Sequence, residues 1–318
     1  MNDMKKTFRP HWATLAFAVF MAACSSTAPA FNLGDLVDKK TLDQAARDKL
    51  GVKTDAANPS DSAIPLTGNP TDADEEKLGH EIAGRLLGAA PLVNDAKVQQ
   101  YVNKVGRYVA AQSGRPDLNW TFGVIESSSA NAFAAPGGYV FVTRGLYELL
   151  QSEAELAGVL AHEIGHVNAR HHVRLLQKQR AVSMGQDLLK KKAGDNNTVN
   201  SLVGNGAEIL SRSLDKDSEF EADRLGVYYA TKSGYDTYGL PAVLDKLNAV
   251  GDTDMVSMLY KTHPLPSERL KALETALGTQ YDKVAPGLTL EARLLKLPPA
   301  PKVAASAAAT SPAADAKK

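Results

Sequence analysis

Apolar residues recur at intervals of three and four along several stretches of the chain, and this spacing predicts amphipathic helices. The first stretch begins at Asp74, and the second runs from Asp95 to about Gln112, where Gly and Pro residues then stop it. The apolar positions of these two helices are Leu78, Ile82, Leu86, Leu87, Val98, Val102, Val105 and Val109. Shorter helices are predicted over 34–50, 216–232, 240–249 and 266–277.

After the second helix the pattern changes to the β-branched and aromatic residues that favour strands. Strands are predicted over 120–126 and 139–143, and the turn residues Pro136-Gly137-Gly138 precede the second strand. We expect Phe133 and Phe141 to lie on the two arms of a hairpin. Helices and strands together predict an α+β protein that is mainly helical, with a small antiparallel sheet.

The longest helical pattern begins at Ser152, where Glu155 completes the spacing of a capping box, and it continues to about Gln179. A flexible insertion is expected over 193–207, where Gly and Asn residues are frequent. From Pro298 the chain consists mostly of Ala, Pro, Ser and Lys, so 298–318 is assigned to a disordered tail.

The formal net charge of the 318-residue chain is zero, because 36 Lys and Arg residues balance 36 Asp and Glu residues. This balance argues against a polybasic protein, and no nucleic-acid partner is expected. Apolar residues make up 44% and charged residues 23%, the proportions of an ordinary globular protein. Cys24 is the only cysteine, which excludes an intrachain disulfide and a zinc site built from four cysteines.

The first residues of the chain resemble a bacterial lipoprotein signal peptide. Lys5, Lys6 and Arg9 precede an apolar run of 12 residues over 12–23, whereas a bilayer-spanning helix needs about 20 residues. Small residues lie directly before Cys24, as in a lipobox, so we expect cleavage before this cysteine and its lipidation.

This interpretation divides the N-terminal part of the chain into a signal peptide over 1–23 and a lipid-anchored tether over 24–73. Ser25, rather than Asp, follows the cysteine, which in well-studied bacteria suits transport to the outer membrane. We therefore expect a periplasmic protein held by its lipid anchor at the outer membrane.

The segment His162-Glu163-Ile164-Gly165-His166 lies within the longest predicted helix and is the main chemical signal of the sequence. Two histidines four residues apart lie on one face of a helix, so both imidazoles can reach one metal ion. Glu163 lies beside them and can contact a water molecule at the metal, as a general base does in zinc metalloproteases.

A catalytic zinc site normally has three protein ligands, and two residues compete for the third position. His172 has the spacing found in metzincins, but Ala169 stands where that pattern needs Gly, and in a continuous helix His172 would face elsewhere. Glu219, on the helix predicted over 216–232, is the other candidate and the preferred one. Asp223 lies on the same face and can accept the N–H of a ligand histidine.

Several motifs, in the same order, resemble the HtpX/Ste-type family of zinc endopeptidases, and more narrowly its periplasmic lipoprotein branch. These motifs are Asn131–Tyr139, Gly145-Leu146, Leu156–Val167 and Glu219–Gly226, and the resemblance spans roughly 74–277. It implies a zincin-like (gluzincin) fold and one Zn²⁺ ion per chain, with His162, His166 and Glu219 as ligands and Glu163 as catalytic base. It also implies a structural role for Asp223. We accordingly assign 74–297 to a zinc metalloprotease domain.

The resemblance extends to Thr262–Arg269, where His263 and Arg269 match a His-Pro…Arg pattern of the family. In some relatives this histidine lies near the metal, where it can block the open position or stabilise the oxyanion. From the residues alone, a loop with a surface histidine and an active-site role for His263 are equally good interpretations. We count both residues as catalytic candidates that act as donors to the oxyanion.

The expected reaction is peptide-bond hydrolysis, in which zinc polarises the scissile carbonyl and lowers the pKa of the attacking water toward ~7. Glu163 takes the proton of this water and later delivers it to the leaving amine. The strand that contains Asn131, Ala132, Phe133 and Ala134 is expected to be an edge strand that pairs with an extended peptide.

Two hypotheses about function therefore remain. The first is a periplasmic zinc metalloendopeptidase that hydrolyses misfolded or unassembled envelope proteins. The second is an assembly factor or chaperone for outer-membrane proteins whose proteolytic activity is restrained, with the outer-membrane assembly machinery as a partner. Full complementation of a deletion by Glu163→Gln would favour the second hypothesis.

Overall fold

A computed structural model of the chain describes residues 70–192, 214–251, 253–278 and 286–301, all within the unit Asp43–Lys318. Several predictions lie outside these residues: the signal peptide 1–23, the lipidated Cys24, the tether as far as 69, the helix 34–50, the insertion 193–207 and the tail from 302. Among the helices of the described residues, none is long and apolar enough to cross a bilayer.

The described part of the chain is mainly helical, as the spacing of its apolar residues predicts. Its helices are α1 (Asp72–Ala89), α2 (Ala96–Ala110), α3 (Arg144–Leu149), α4 (Glu153–Asn168), α5 (His171–Lys192), α6 (Lys216–Lys232), α7 (Gly239–Val250), α8 (Asp254–Thr262) and α9 (Pro266–Leu277). A short 3-10 helix covers Glu291–Arg293.

The sheet contains β1 (Thr121–Ile125), β2 (Ala132–Ala135) and β3 (Tyr139–Thr143) in the spatial order β1-β3-β2. Strands β2 and β3 form the predicted hairpin, in which Phe133 lies opposite Phe141. The pairing of β1 with β3 is parallel, so the sheet is mixed rather than wholly antiparallel. After β1 the chain forms β2 at the edge of the sheet and then turns back to form β3. Strand β3 therefore lies between β1 and β2 and runs parallel to β1.

Helix α4 forms the centre of the fold. Every residue from Glu153 to Val167 is buried, and the helix packs against α2, α6, α7 and the sheet. Ser152 caps its N-terminus, since its hydroxyl accepts a hydrogen bond from the N–H of Glu155. A helix buried on all sides holds its polar side chains in fixed positions, which suits a site built on it.

Helices α4 and α6 approach each other closely, because glycines lie at their contact. A Cβ atom on Gly226 of α6 would lie 3.0 Å from the backbone of His162, and one on Gly165 of α4 would lie 3.1 Å from the carbonyl oxygen of Ala222. Larger residues at these positions would force the helices apart. The close packing brings the face of α6 that carries Glu219 toward the histidines of α4.

The N-terminus of α4 is held by a buried carboxylate. Glu153, its first residue, accepts hydrogen bonds from the hydroxyls of Tyr101 and Tyr235, each at 2.9 Å, and pairs with Arg293 at 3.1 Å. A negative charge at this end of a helix is also favoured by the helix dipole.

Pro298, the first residue of the predicted tail, accepts a hydrogen bond from a side chain of α3.

The long helix predicted from Ser152 to Gln179 is interrupted, which corrects the sequence analysis. Helix α4 ends at Asn168 and α5 begins at His171, because Arg170 adopts a left-handed conformation with φ of 56°. For a residue other than glycine this conformation costs about 1–2 kcal/mol. The side chain of Arg170 is held in place by an ion pair of 2.7 Å with the buried carboxylate of Glu75.

Candidate active site

Helix α4 presents His162 and His166 on one face, one turn apart, as their spacing predicts. Their Nε2 atoms lie 3.0 Å apart, and the two residues are only 3% and 1% exposed. Two imidazole nitrogens at this distance face the same point, where both can bind a single metal ion.

Helix α6 brings the carboxylate of Glu219 to the same point. One of its oxygens lies 3.8 Å from Nε2 of His162, and the other lies 3.6 Å from Nε2 of His166. Glu219 is fully buried, and its Oε1 atom has no hydrogen-bond partner within the described ranges. A buried carboxylate oxygen without a donor is costly unless it binds a cation, so the two imidazoles and this carboxylate fit a zinc ion.

Asp223 lies one turn after Glu219 on α6 and contacts the other side of His162. Its Oδ1 atom is 2.9 Å from Nδ1 of His162, so the carboxylate can accept the proton on this nitrogen and leave Nε2 free for a metal. Burial alone would raise the pKa of Asp223, but the guanidinium of Arg269 lowers this pKa well below its ordinary value.

Arg269 of α9 lies behind His162 and binds Asp223 through two hydrogen bonds, from Nε at 2.9 Å and from Nη2 at 2.5 Å. Both side chains are buried. The cleft at this site is lined by Ala132, Phe133, Ala134, Glu163, His166, His172, Leu214, Glu219, Thr262 and His263, so Arg269 is not among its lining residues. This placement argues against the interpretation of Arg269 as a direct donor to the oxyanion. Its guanidinium instead compensates the buried charge of Asp223.

His171, the first residue of α5, contacts the other histidine of the motif and was missed by the sequence analysis. Its Nδ1 atom lies 2.9 Å from Nδ1 of His166, and its Nε2 atom lies 3.2 Å from Oε2 of Glu221. Burial lowers the pKa of both His171 and His166, which favours the neutral form of both rings. The contact depends on the turn at Arg170, for which the sequence carries no glycine signal.

His263, directly after α8, reaches the carboxylate of Glu219. Its Nδ1 atom lies 2.6 Å from Oε2 of Glu219, and the histidine belongs with the three predicted ligands to a group whose possible ligand atoms all lie within 4.8 Å of one another. Burial alone would lower the pKa of His263, but the carboxylate of Glu219 raises it above its ordinary value. The alternative of a surface loop is therefore wrong for His263.

Glu163 lies in the cleft beside this group and is 3% exposed. Burial raises the pKa of its carboxyl group, and the nearby His162 opposes this effect. A carboxyl group with a raised pKa accepts and returns a proton more readily near neutral pH than an exposed one does.

Edge strand β2 forms one wall of the cleft. Ala132, Phe133 and Ala134 line it, and β2 lies at the edge of the described sheet, as the sequence predicts. Substrate binding by this strand stays a prediction. Asn131 does not line the cleft; it is buried, and its backbone N–H donates to the hydroxyl of Thr143 at 2.9 Å. Asn131 thus ties the start of β2 to the end of β3.

His172 also lines the cleft, contrary to the expectation that a continuous helix turns it elsewhere. The break at Arg170 rotates α5 relative to α4, so the ring centroid of His172 lies 5.8 Å from that of His166. His172 does not belong to the group of possible metal ligands. The geometry therefore favours Glu219 over His172 as the third ligand.

A buried His-Glu-x-x-His helix, a carboxylate from a second helix and a mixed sheet with an edge strand at the cleft define a zincin-like metallopeptidase core. Residues 96–277 match the model of Peptidase family M48, and the chain belongs to this family. The resemblance to HtpX/Ste-type endopeptidases is thereby confirmed, and so is the metallopeptidase class.

The chain is similar to several curated metalloproteases. It is 31% identical to the β-barrel assembly-enhancing protease of Escherichia coli K12 over 207 residues, which cover 62% of this chain and 42% of the relative. Its identity to the protein of the same name from Yersinia pestis is also 31%, over 69% of this chain and 48% of the relative. The mitochondrial metalloendopeptidase OMA1 of Schizosaccharomyces pombe is 31% identical over 55% of this chain and 51% of the relative. The chain spans about half the length of these curated relatives.

Proposed function

We propose that the protein is a zinc-dependent endopeptidase whose metal ligands are His162, His166 and Glu219. The strongest support is the close approach of three buried groups: the Nε2 atoms of His162 and His166 and the Oε1 atom of Glu219, which accepts no hydrogen bond from the described residues. Glu163 lines the same cleft. Membership of Peptidase family M48 supports the same reaction class.

When bound, zinc supplies a Lewis acid that polarises the scissile carbonyl and favours ionisation of water. Asp223 holds His162 in the tautomer that leaves Nε2 free, and Arg269 keeps the carboxylate of Asp223 charged and oriented. Arg269 is thus proposed as a positioning residue rather than as an oxyanion donor.

Glu163 acts as the general base and then as the general acid. Its carboxylate accepts a proton from the attacking water, and the resulting carboxylic acid delivers this proton to the nitrogen of the leaving amine. Burial raises the pKa of Glu163 and so brings it closer to neutral pH, where one group can both accept and return a proton. His263, which reaches the same point from α8, is proposed as the donor that faces the developing oxyanion.

The substrate is proposed to bind as an extended segment along β2. This strand lies at the edge of the described sheet, where its free backbone groups can pair with a peptide. Backbone pairing selects extended, accessible segments more than particular side chains, so unfolded proteins and loops are the proposed substrates. Asn131, directly before this strand, holds it to β3, because its backbone N–H donates to the hydroxyl of Thr143.

Glu163→Gln tests the proposal directly. We expect the variant to keep its zinc but to cleave casein about 10²- to 10⁴-fold more slowly, because the amide cannot accept the proton. Metal content and casein cleavage are measured on the same samples. Cleavage at the wild-type rate would rule out Glu163 as the base, and a wild-type protein without zinc would overturn the whole proposal.

We propose that the protein works in the bacterial periplasm, anchored through a lipid on Cys24 to the outer membrane. The proposed substrates are misfolded or unassembled envelope proteins. The names of the Escherichia coli and Yersinia pestis relatives support a connection with β-barrel assembly.

A second candidate function is an assembly factor whose proteolysis is restrained. The contact between His263 and Glu219 favours it, because an imidazole at this position competes with substrate and water. The Glu163→Gln variant distinguishes the two functions in cells that lack the protein. Full complementation would favour the assembly role, whereas loss of complementation with normal amounts of protein would favour proteolysis.

A further inference from the structure

The two proposed histidine ligands differ in the kind of residue that contacts their Nδ1 atoms. His162 has a carboxylate at its Nδ1 atom, the common arrangement for a metal-binding histidine. His166 has an imidazole there instead, since its Nδ1 atom lies 2.9 Å from Nδ1 of His171. An imidazole can accept or donate, so its own partner decides which nitrogen carries the proton.

Glu221 supplies this partner. Its Oε2 atom lies 3.2 Å from Nε2 of His171, and an ionised carboxylate only accepts hydrogen bonds. His171 must therefore carry its proton on Nε2, which leaves a lone pair on its Nδ1 atom. His166 then donates from Nδ1 to this lone pair, and its own Nε2 atom is left as a free lone pair beside Nε2 of His162.

We propose that His171, oriented by Glu221, is the positioning residue for His166 and sets the tautomer in which His166 can bind the metal. The inference rests on the function proposed above, because it concerns the same metal. The geometry of the turn supports it: the left-handed Arg170 places His171 at the start of α5, 2% exposed and with its ring 5.0 Å from that of His166.

The role predicts a particular pattern of zinc affinity. His171→Ala removes the acceptor and should weaken zinc binding about 10- to 100-fold, the usual effect of losing such a partner. His171→Asn should recover most of the affinity, because the amide oxygen of Asn lies near the position of Nδ1 and accepts the same hydrogen bond. Glu221→Ala should weaken binding less than His171→Ala, since Glu221 is partly exposed.

The experiment measures zinc affinity by competition with a chelator, on the full chain and each variant, together with the melting temperature of the metal-free proteins. Asp217→Ala is the matched control for Glu221→Ala, because it removes the same charge from an exposed position one turn earlier on α6. The spectrum of the Co²⁺-substituted proteins gives a second measure of ligand geometry.

Weak binding by His171→Ala, recovery by His171→Asn and no effect of Asp217→Ala would support the inference. It is overturned if His171→Ala binds zinc as the wild type does, or if His171→Asn binds as weakly as His171→Ala while both metal-free proteins melt alike. A wild-type protein that binds no zinc would instead contradict the proposed function itself, and the two failures are thus distinguishable.

Discussion

The Nδ1 atom of His263 lies 2.6 Å from Oε2 of Glu219, so a residue from the end of α8 contacts the carboxylate that α6 brings to the histidines of α4. The other oxygen of Glu219 faces Nε2 of His166 and has no hydrogen-bond partner in the described part of the chain. The two oxygens therefore have different surroundings: one is bound by a neighbouring imidazole, and the other is available to a metal.

From this asymmetry we expect Glu219→Ala to lose zinc and His172→Ala to keep it. Removal of a direct ligand should lower zinc affinity by more than the roughly 10- to 100-fold that is typical of losing a ligand's partner. His172 lies in the same cleft but outside the group of possible ligand atoms. The metal content of the purified proteins checks this, and zinc loss in His172→Ala alone would reverse the assignment.

Arg269→Ala should destabilise the fold strongly, because it leaves the buried carboxylate of Asp223 without its cation. Breaking a buried pair in this way costs about 3–5 kcal/mol. Lys216→Ala is the control, since its ion pair with Glu268 is of similar length but exposed, and such pairs contribute about 0–1 kcal/mol. Urea denaturation of the two variants measures the difference, and equal losses of unfolding free energy would contradict the structural role of Arg269.

Two glycines of α1 should respond in opposite ways to alanine. A Cβ atom on Gly79 would overlap the carbonyl oxygen of Pro136 in the β2–β3 turn, whereas the described residues leave open space around Gly84. We expect Gly79→Ala to lower the free energy of unfolding by about 1–3 kcal/mol or more.

Gly84→Ala should instead raise it by about 0.5–1 kcal/mol, because alanine favours the helix. Thermal or chemical denaturation of the two variants would provide the comparison. A stable Gly79→Ala protein would mean that α1 does not pack on this turn.

Cys24→Ser should abolish lipid attachment, because the proposed lipid is bound to the sulfur of Cys24. A thiol is required for the thioether bond to the lipid, and no other cysteine is present in the sequence. Labelling with radioactive palmitate and separation of membrane and soluble fractions measure the effect. Incorporation of label by the serine variant would show that the lipid is attached elsewhere.

The sequence by itself determined the parts of the site that depend on local periodicity. The spacing of His162 and His166 determines that they share a face, since four residues make about one helical turn, and the same holds for Glu219 and Asp223. The β2–β3 hairpin was also predictable, because its turn residues lie directly between the two strands.

Only the tertiary structure decided which residues contact His162 and His166 on the side away from the proposed metal. His171 reaches His166 because Arg170 takes up a left-handed conformation that an ion pair with the distant Glu75 helps to hold. Arg269 matched a family pattern, but its position behind Asp223 follows from the packing of α9 on α6. Contacts of this kind join segments far apart in the chain, and their energies depend on burial and on partners that no local pattern contains.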